Sequence, residues 1–313
     1  MSMQALVDVA LPVFAIILCG YGVGRAGVLG DHGTEALNSF VYWVALPPLL
    51  FLSMARTDPA NIFVWEFVVP YIAIMAVGFV LVMVLVMLLF RRSFSEATMA
   101  GMSGIFGNTG YMGIPLVLTA FGEAAVLPAA IATVVNSALV VGIVAMMLEA
   151  SLHSGLGAVR IARQVFIALC RNPLVVSSVL GIAWAFTGLS LPGPAVTFAE
   201  IVGASAGPCA LFAIGLFLVG KPIAESFGEV SLVLLVKLVA MPLVAIALLP
   251  FLPGLDPLWA KVLVLKCALP LGANVFVMAM RYNVYVLASS SATLLSTLLS
   301  VVTVSVLLAW MGL

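Results

Sequence analysis

Charged side chains are scarce in this sequence: Asp, Glu, Lys and Arg make up 8% of its 313 residues and cancel, 12 basic against 12 acidic. A chain that is 65% hydrophobic with so few charges lacks the polar surface to clothe a globule in water, so its solvent must be lipid. Zero net charge offers no basic field to nucleic acid and no acidic field to basic partners. The two histidines, His32 and His153, fall in expected loops. Cys19, Cys170, Cys209 and Cys267 are scattered without Cys-x-x-Cys or Cys/His spacing, which argues against a disulfide framework or a zinc site. No metal and no cofactor is expected. No Lys or Arg precedes Arg25, so the first apolar stretch lacks the charged start of a signal peptide and reads as a retained membrane helix.

What the sequence has is a series of apolar runs. Crossing about 30 Å of hydrocarbon takes about 20 mostly apolar residues, and ten stretches meet that rule. In residues 1–150 they are Ala5–Gly24, Thr34–Met54, Phe63–Phe90, Phe94–Ala120 and Ala124–Leu148. In residues 173–313 they are Pro173–Leu189, Ala195–Val219, Val230–Leu249, Leu258–Arg281 and Val284–Met311. The connector, 151–172, mixes Arg160, Arg163 and Arg171 with Leu156, Val159, Phe166 and Leu169. It reads either as a helix in the cytoplasmic interface or as an ordinary solvated linker. Loops after odd-numbered spans carry Arg25, Arg91, Arg92, Arg160, Arg163, Arg171, Lys221 and Arg281, against only Arg56 and Lys261 on the other side. The positive-inside rule then puts both termini outside a plasma (inner) membrane.

Five spans on each side of the connector would have opposite orientations, so internal similarity implies an inverted repeat. Span two contains Ala45-Leu46-Pro47-Pro48-Leu49-Leu50-Phe51 and span seven Ala206-Gly207-Pro208-Cys209-Ala210-Leu211-Phe212. Aligning Pro47 with Pro208 aligns Leu50 with Leu211 and Phe51 with Phe212, and brings Asn108 close to Pro270. Corresponding helix breaks in two halves are expected of a transporter built from inverted repeats.

The breaks lie in spans four and nine. Span four reads Gly107-Asn108-Thr109-Gly110-Tyr111-Met112-Gly113-Ile114-Pro115-Leu116 at its centre. Three glycines and a proline, the proline alone worth about 3 kcal/mol in a helix interior, argue against a continuous helix. Span nine repeats the device with Leu269-Pro270-Leu271-Gly272-Ala273-Asn274. Freed backbone groups in lipid must face protein or a watery cavity, so the breaks face inward. If they cross, four half-helix ends converge. The N-terminal ends offer N–H donors and about half an elementary positive charge each, which suits a carboxylate. Asn108 and Asn274 can add amide donors, and Thr109 and Tyr111 hydroxyls.

The string Asn108 to Leu116 resembles the fourth-helix motif of the auxin efflux carrier family, which groups PIN-type plant auxin exporters with bacterial malonate and malate carriers. Span number and paired breaks extend the resemblance over essentially the whole chain, and its length resembles the bacterial branch. The resemblance implies an all-α membrane protein of ten helices in two inverted five-helix repeats, with crossed helices four and nine at the substrate site. Bile-acid sodium symporters and sodium/proton antiporters share that architecture. Asn108 and Pro115 match the family's crossing motif, and Pro270 and Asn274 match its counterpart. The candidate substrate-binding set is Asn108, Thr109, Gly110, Tyr111, Gly113, Pro115, Lys266, Pro270, Gly272, Ala273 and Asn274, with Pro47 and Pro208 as hinge or support.

Two lysines lie inside spans, Lys237 in span eight and Lys266 one turn before Pro270. A lysine at a helix centre costs about 2.5 to 3.5 kcal/mol on insertion scales, so each faces the bundle interior or snorkels. Lys266 can pair with a substrate carboxylate, occupy the place of a coupling cation, or serve structure alone; Lys237 reads as structural. Asp8, Glu66, Glu149 and Glu200 sit near span ends as interface anchors, and no acid cluster resembles a sodium cage, so coupling to H+ or Na+ stays open. The expected partners are a small organic anion and the lipid bilayer, with a homodimer left open. Gly101-Met102-Ser103-Gly104 and Gly203-Ala204-Ser205-Ala206-Gly207 match short serine-nucleophile patterns, but no histidine base falls within reach of either. The expectation is therefore no enzyme but a secondary transporter of a small organic anion, such as a dicarboxylate or auxin-like acid, working by alternating access. A channel or membrane sensor for a small anion is the alternative.

Overall fold

The computed structural model describes residues 15–30, 32–56, 64–152, 163, 166–167, 170–217, 219, 227–272 and 274–312. Among them the secondary structure is helical, with one isolated β-bridge. In chain order the helices are α1 (Ala15–Arg25), α2 (Gly33–Ala55), α3 (Trp65–Phe90), α4 (Phe94–Ile105), α5 (Thr109–Phe121), α6 (Glu123–Val135) and α7 (Val141–Leu152). There follow α8 (Pro173–Thr187), α9 (Gly193–Ala204), α10 (Ala206–Phe217), α11 (Phe227–Phe251), α12 (Pro257–Ala268), α13 (Asn274–Tyr282) and α14 (Val286–Trp310). Among the described residues five helical stretches are long and apolar enough to cross a membrane: α2, α3, α9 with α10, α11 and α14. Expected span four is divided into α4 and α5, and expected span nine into α12 and α13. Most of the 151–172 connector, and the start of span one, lie outside the described residues.

The helices are apolar on both faces, as lipid requires. On α3, Phe67, Tyr71, Ile74, Val82 and Val86 are buried while Val69, Val77, Val80 and Leu88 point outward. In α4 every residue from Ala97 to Ile105 is buried. Its Ala97, Ala100, Gly101, Ser103 and Gly104 are small enough to let neighbouring backbones close in. The α3–α4 turn is set by Arg91, in a left-handed conformation (φ 53°), and by a capping box in which Ser93 and Glu96 satisfy each other's backbone N–H. Arg92 in that turn donates to the buried Glu229 carboxylate on α11 at 2.9 Å. This pairing holds its guanidinium above the ordinary arginine range.

Two packing groups emerge. Helix α2 packs against α8, α9 and α10, while α3, α4, α7, α11, α12 and α14 pack among themselves. Glycines set the closest approaches in the first group. A Cβ on Gly20 of α1 would collide with the Phe212 carbonyl on α10, and one on Gly181 of α8 would lie 2.5 Å from the Phe51 carbonyl on α2. The separation of Pro47 from Pro208, 208 − 47 = 161 residues, also separates Gly20 from Gly181 and Phe51 from Phe212. Each of these two contacts therefore repeats the other with the halves exchanged.

Candidate functional site at the crossing of two broken helices

After Ile105 the chain leaves the helix at Phe106 (φ −72°, ψ 100°), and after Ala268 it does so at Leu269 (φ −63°, ψ 146°). The two interruptions meet as a short antiparallel bridge between Gly107 and Leu271. Asn108 N donates to Pro270 O at 2.7 Å and Gly272 N to Phe106 O at 3.0 Å. Several other peptide groups freed there also find protein partners, as a hydrocarbon environment demands. Leu271 N donates to Ser296 Oγ at 3.0 Å, Asn136 Nδ2 to Gly107 O at 3.0 Å, and Gly113 N to Asn108 O at 2.9 Å. Glycine is needed at 272, where a Cβ would fall 2.8 Å from the Phe106 ring.

A cavity of about 270 Å³ opens beside this crossing. It is lined by Phe106, Gly107, Asn108, Thr109, Gly110 and Tyr111 from the first break and by Gly272 and Asn274 from the second. Tyr42, Trp43, Thr133, Ser137, Asn172 and Leu174 complete the wall. Among the described residues the lining holds no acidic or basic side chain. Its polarity comes from amides, hydroxyls and the N-terminal ends of α5 and α13, whose opening N–H groups have no preceding helical carbonyl to bind. Tyr111 stacks on Tyr42 with ring centroids 5.4 Å apart, bracing α5 against α2. A smaller cavity of about 120 Å³ is lined in part by Asn38, Thr293 and Thr297, and Asn108 and Tyr111 face both spaces.

A family model for membrane transport proteins matches residues 5–308. A Rhizobium meliloti (strain 1021) protein described as "Putative malonate transporter" is 33% identical over 98% of this chain and 96% of its own length. The Escherichia coli (strain K12) "Uncharacterized transporter YfdV" is 28% identical over 94% of this chain and 93% of its own length. A rice "Probable auxin efflux carrier component 5c" is 32% identical over 44% of this chain and 39% of its own length. The chain belongs to the auxin efflux carrier family of membrane transport proteins.

In this carrier the expected site residues separate by position. Asn108, Thr109, Gly110, Tyr111, Gly272 and Asn274 face the cavity. Pro270 contributes its carbonyl to the bridge, and Gly113 stands one turn behind. Pro115 packs toward Gly207 of α10, where a glycine Cβ would meet it at 3.7 Å. Lys266 lies buried behind the α5 start and outside the cavity wall, donating to Thr109 O at 2.8 Å. Pro47 and Pro208 lie near the starts of α-helical segments and outside the wall. Ala273 is outside the described residues. Sequence reasoning misses Tyr42, Trp43, Thr133, Asn136, Ser137 and Asn172. Of these, only Asn172 carries a local signal: with Pro173 it marks a helix start, and its Oδ1 accepts from Leu174 N at 3.0 Å.

Proposed function

We propose that this carrier is a secondary transporter of a small carboxylate anion, bound in the cavity at the crossing and moved by alternating access. The observation that carries the reading is a polar cavity with no charged side chain among its described lining residues, onto which the N-terminal ends of two half-helices open. Its volume suits a small metabolite better than a drug-sized ligand. The name of the Rhizobium relative makes malonate the first substrate to try.

The same reading takes the chain as ten spans in two inverted five-helix repeats, 1–150 and 173–313, joined by 151–172. The exchanged contacts of Gly20 and Gly181 support it. Helix α2 with α8, α9 and α10 would form the fixed part, and the helices around α4 and α12 the moving part. The positive-inside rule favours both termini outside an inner membrane. It puts Asn172, at one edge of the cavity, on the cytoplasmic side, so the cavity would open inward.

The test is counterflow of labelled malonate, malate and an indole carboxylate in liposomes. Native protein should show saturable, trans-stimulated exchange of at least one acid. Asn108→Ala and Asn274→Ala should each raise the half-saturating concentration about tenfold, the loss of a hydrogen bond to a charged ligand, with normal membrane insertion. Conduction without trans-stimulation would point to a channel instead. Unchanged exchange by both variants would remove these amides from the site.

A further inference from the structure

Both lysines inside the bundle are turned toward the ends of the broken helices. Lys237, on α11 and 1% exposed, donates from Nζ to the carbonyl of Ile105 at 3.1 Å and to that of Cys267 at 3.1 Å. Ile105 is the last residue of α4, and Cys267 the last but one of α12. One nitrogen thus joins the C-terminal ends of the two half-helices that cross. Lys266, also 1% exposed, donates to the Thr109 carbonyl at 2.8 Å and lies 3.5 Å from Thr133 Oγ1. Among the described residues neither ammonium has a carboxylate within ion-pair distance.

A buried ammonium without a counter-charge is strongly unfavourable. Each helix C-terminus carries about half an elementary negative charge, so two converging ends supply about the one unit that Lys237 requires. The surroundings of both nitrogens are the carbonyl and hydroxyl oxygens that also suit a hard cation. Glycines make the room. A Cβ on Gly113 would sit 2.7 Å from Lys266 Nζ, and one on Gly107 would sit 3.3 Å from Lys237 Nζ.

We propose that Lys237 and Lys266 are tethered counter-cations of the crossing, filling oxygen sites that a free monovalent cation would otherwise occupy, so that the carrier assembles its anion site without bound sodium. They are positioning residues: they hold the half-helix ends whose opposite partners face the cavity. The link to anion binding rests on the transport reading above, whereas the cation site itself rests only on the crossing.

The experiment compares native protein, Lys237→Met, Lys237→Ala and Lys266→Ala in choline, sodium and methylammonium chloride at equal ionic strength. It reads the thermal midpoint of purified protein and labelled malonate uptake by liposomes. Native protein should show the same midpoint and uptake in sodium as in choline. Each alanine variant in choline should lose several degrees of midpoint and about tenfold in uptake, the order expected for removing a buried charge partner. Methylammonium or sodium should restore a large part of both, saturably. Lys237→Met fills the space without charge and should lose uptake without restoration, because the cation has no room.

Sodium-stimulated uptake or a sodium-raised midpoint in native protein would overturn the proposal, and that arm needs no variant to fold. So would variants that match native protein in choline, or alanine variants whose loss is the same in all three salts. The midpoint needs no substrate. A native carrier that ignores malonate would therefore count against the proposed substrate while the cation arms still decide the role of the lysines.

Discussion

Gly110 and Gly113, three residues apart, have different reasons to be glycine. At 113 a Cβ would lie 2.7 Å from Lys266 Nζ and 2.6 Å from Leu269 Cδ1. Gly113→Ala should therefore destabilise the carrier by about 1 to 3 kcal/mol, the usual cost of overpacking, seen as a lower thermal midpoint. At 110 the nearest side-chain atom would be Leu174 Cδ1 at an ordinary 3.4 Å, and the residue faces the cavity. Gly110→Ala should keep the midpoint and lower anion affinity, because the new methyl group crowds the ligand and not the core. Sequence makes Asn108, Gly110, Tyr111, Gly272 and Asn274 legible because glycine and proline inside an apolar run break a helix whatever surrounds it. Tyr42, Trp43 and Asn136 are not legible in the same way. They sit in helical runs, and only tertiary packing brings them to the crossing. Lys266 is legible as a buried charge, but its partner is Thr109 O, a backbone atom that no residue pattern announces.

At the scale of elements, three of the π-helical turns stand immediately before a proline. Val41–Ala45 precedes Leu46-Pro47, Thr109–Gly113 precedes Ile114-Pro115, and Val236–Ala240 precedes Met241-Pro242. Proline lacks the N–H that would bind four residues back, and its ring crowds that carbonyl, so the preceding turn widens. In α5 the widened turn carries Thr109, Gly110 and Tyr111 to the cavity, and the Thr109 carbonyl accepts from Lys266 Nζ at 2.8 Å and from Thr133 Oγ1 at 3.2 Å. Pro115→Ala should let the turn tighten toward α-helical geometry and rotate Tyr111 away from Tyr42. The expected outcome is weaker anion exchange with little loss of thermal midpoint. A variant that melts well below native protein would show instead that Pro115 serves packing against α10. Prolines 47 and 115 are legible in the sequence, as a hinge or support and as part of a helix break. That each produces a wide turn upstream, and not a clean break, depends on neighbouring helices holding the chain straight. The Asn136–Val140 π turn has no proline to announce it.

For the whole molecule, the exchanged contacts of Gly20 with Phe212 and Gly181 with Phe51 predict matched behaviour. Gly20→Ala and Gly181→Ala should each force a helix pair apart and lower the thermal midpoint by similar amounts, with the double variant near the sum because the two contacts share no residue. A large effect at one position with none at the other would mean that the two halves are not equivalent in packing. The halves also touch at the bridge between Gly107 and Leu271, which is made of peptide N–H and C=O groups alone. Apart from the glycine that close approach requires at 272, such a link does not depend on which side chains its residues carry. Homologous chains can drift at Phe106 or Leu271 and keep it, whereas proline at 108 or 272 would delete a donor and sever it. In a saturating mutational scan read by membrane insertion, therefore, proline at 108 should be far worse than substitutions that cost only the Asn108 amide.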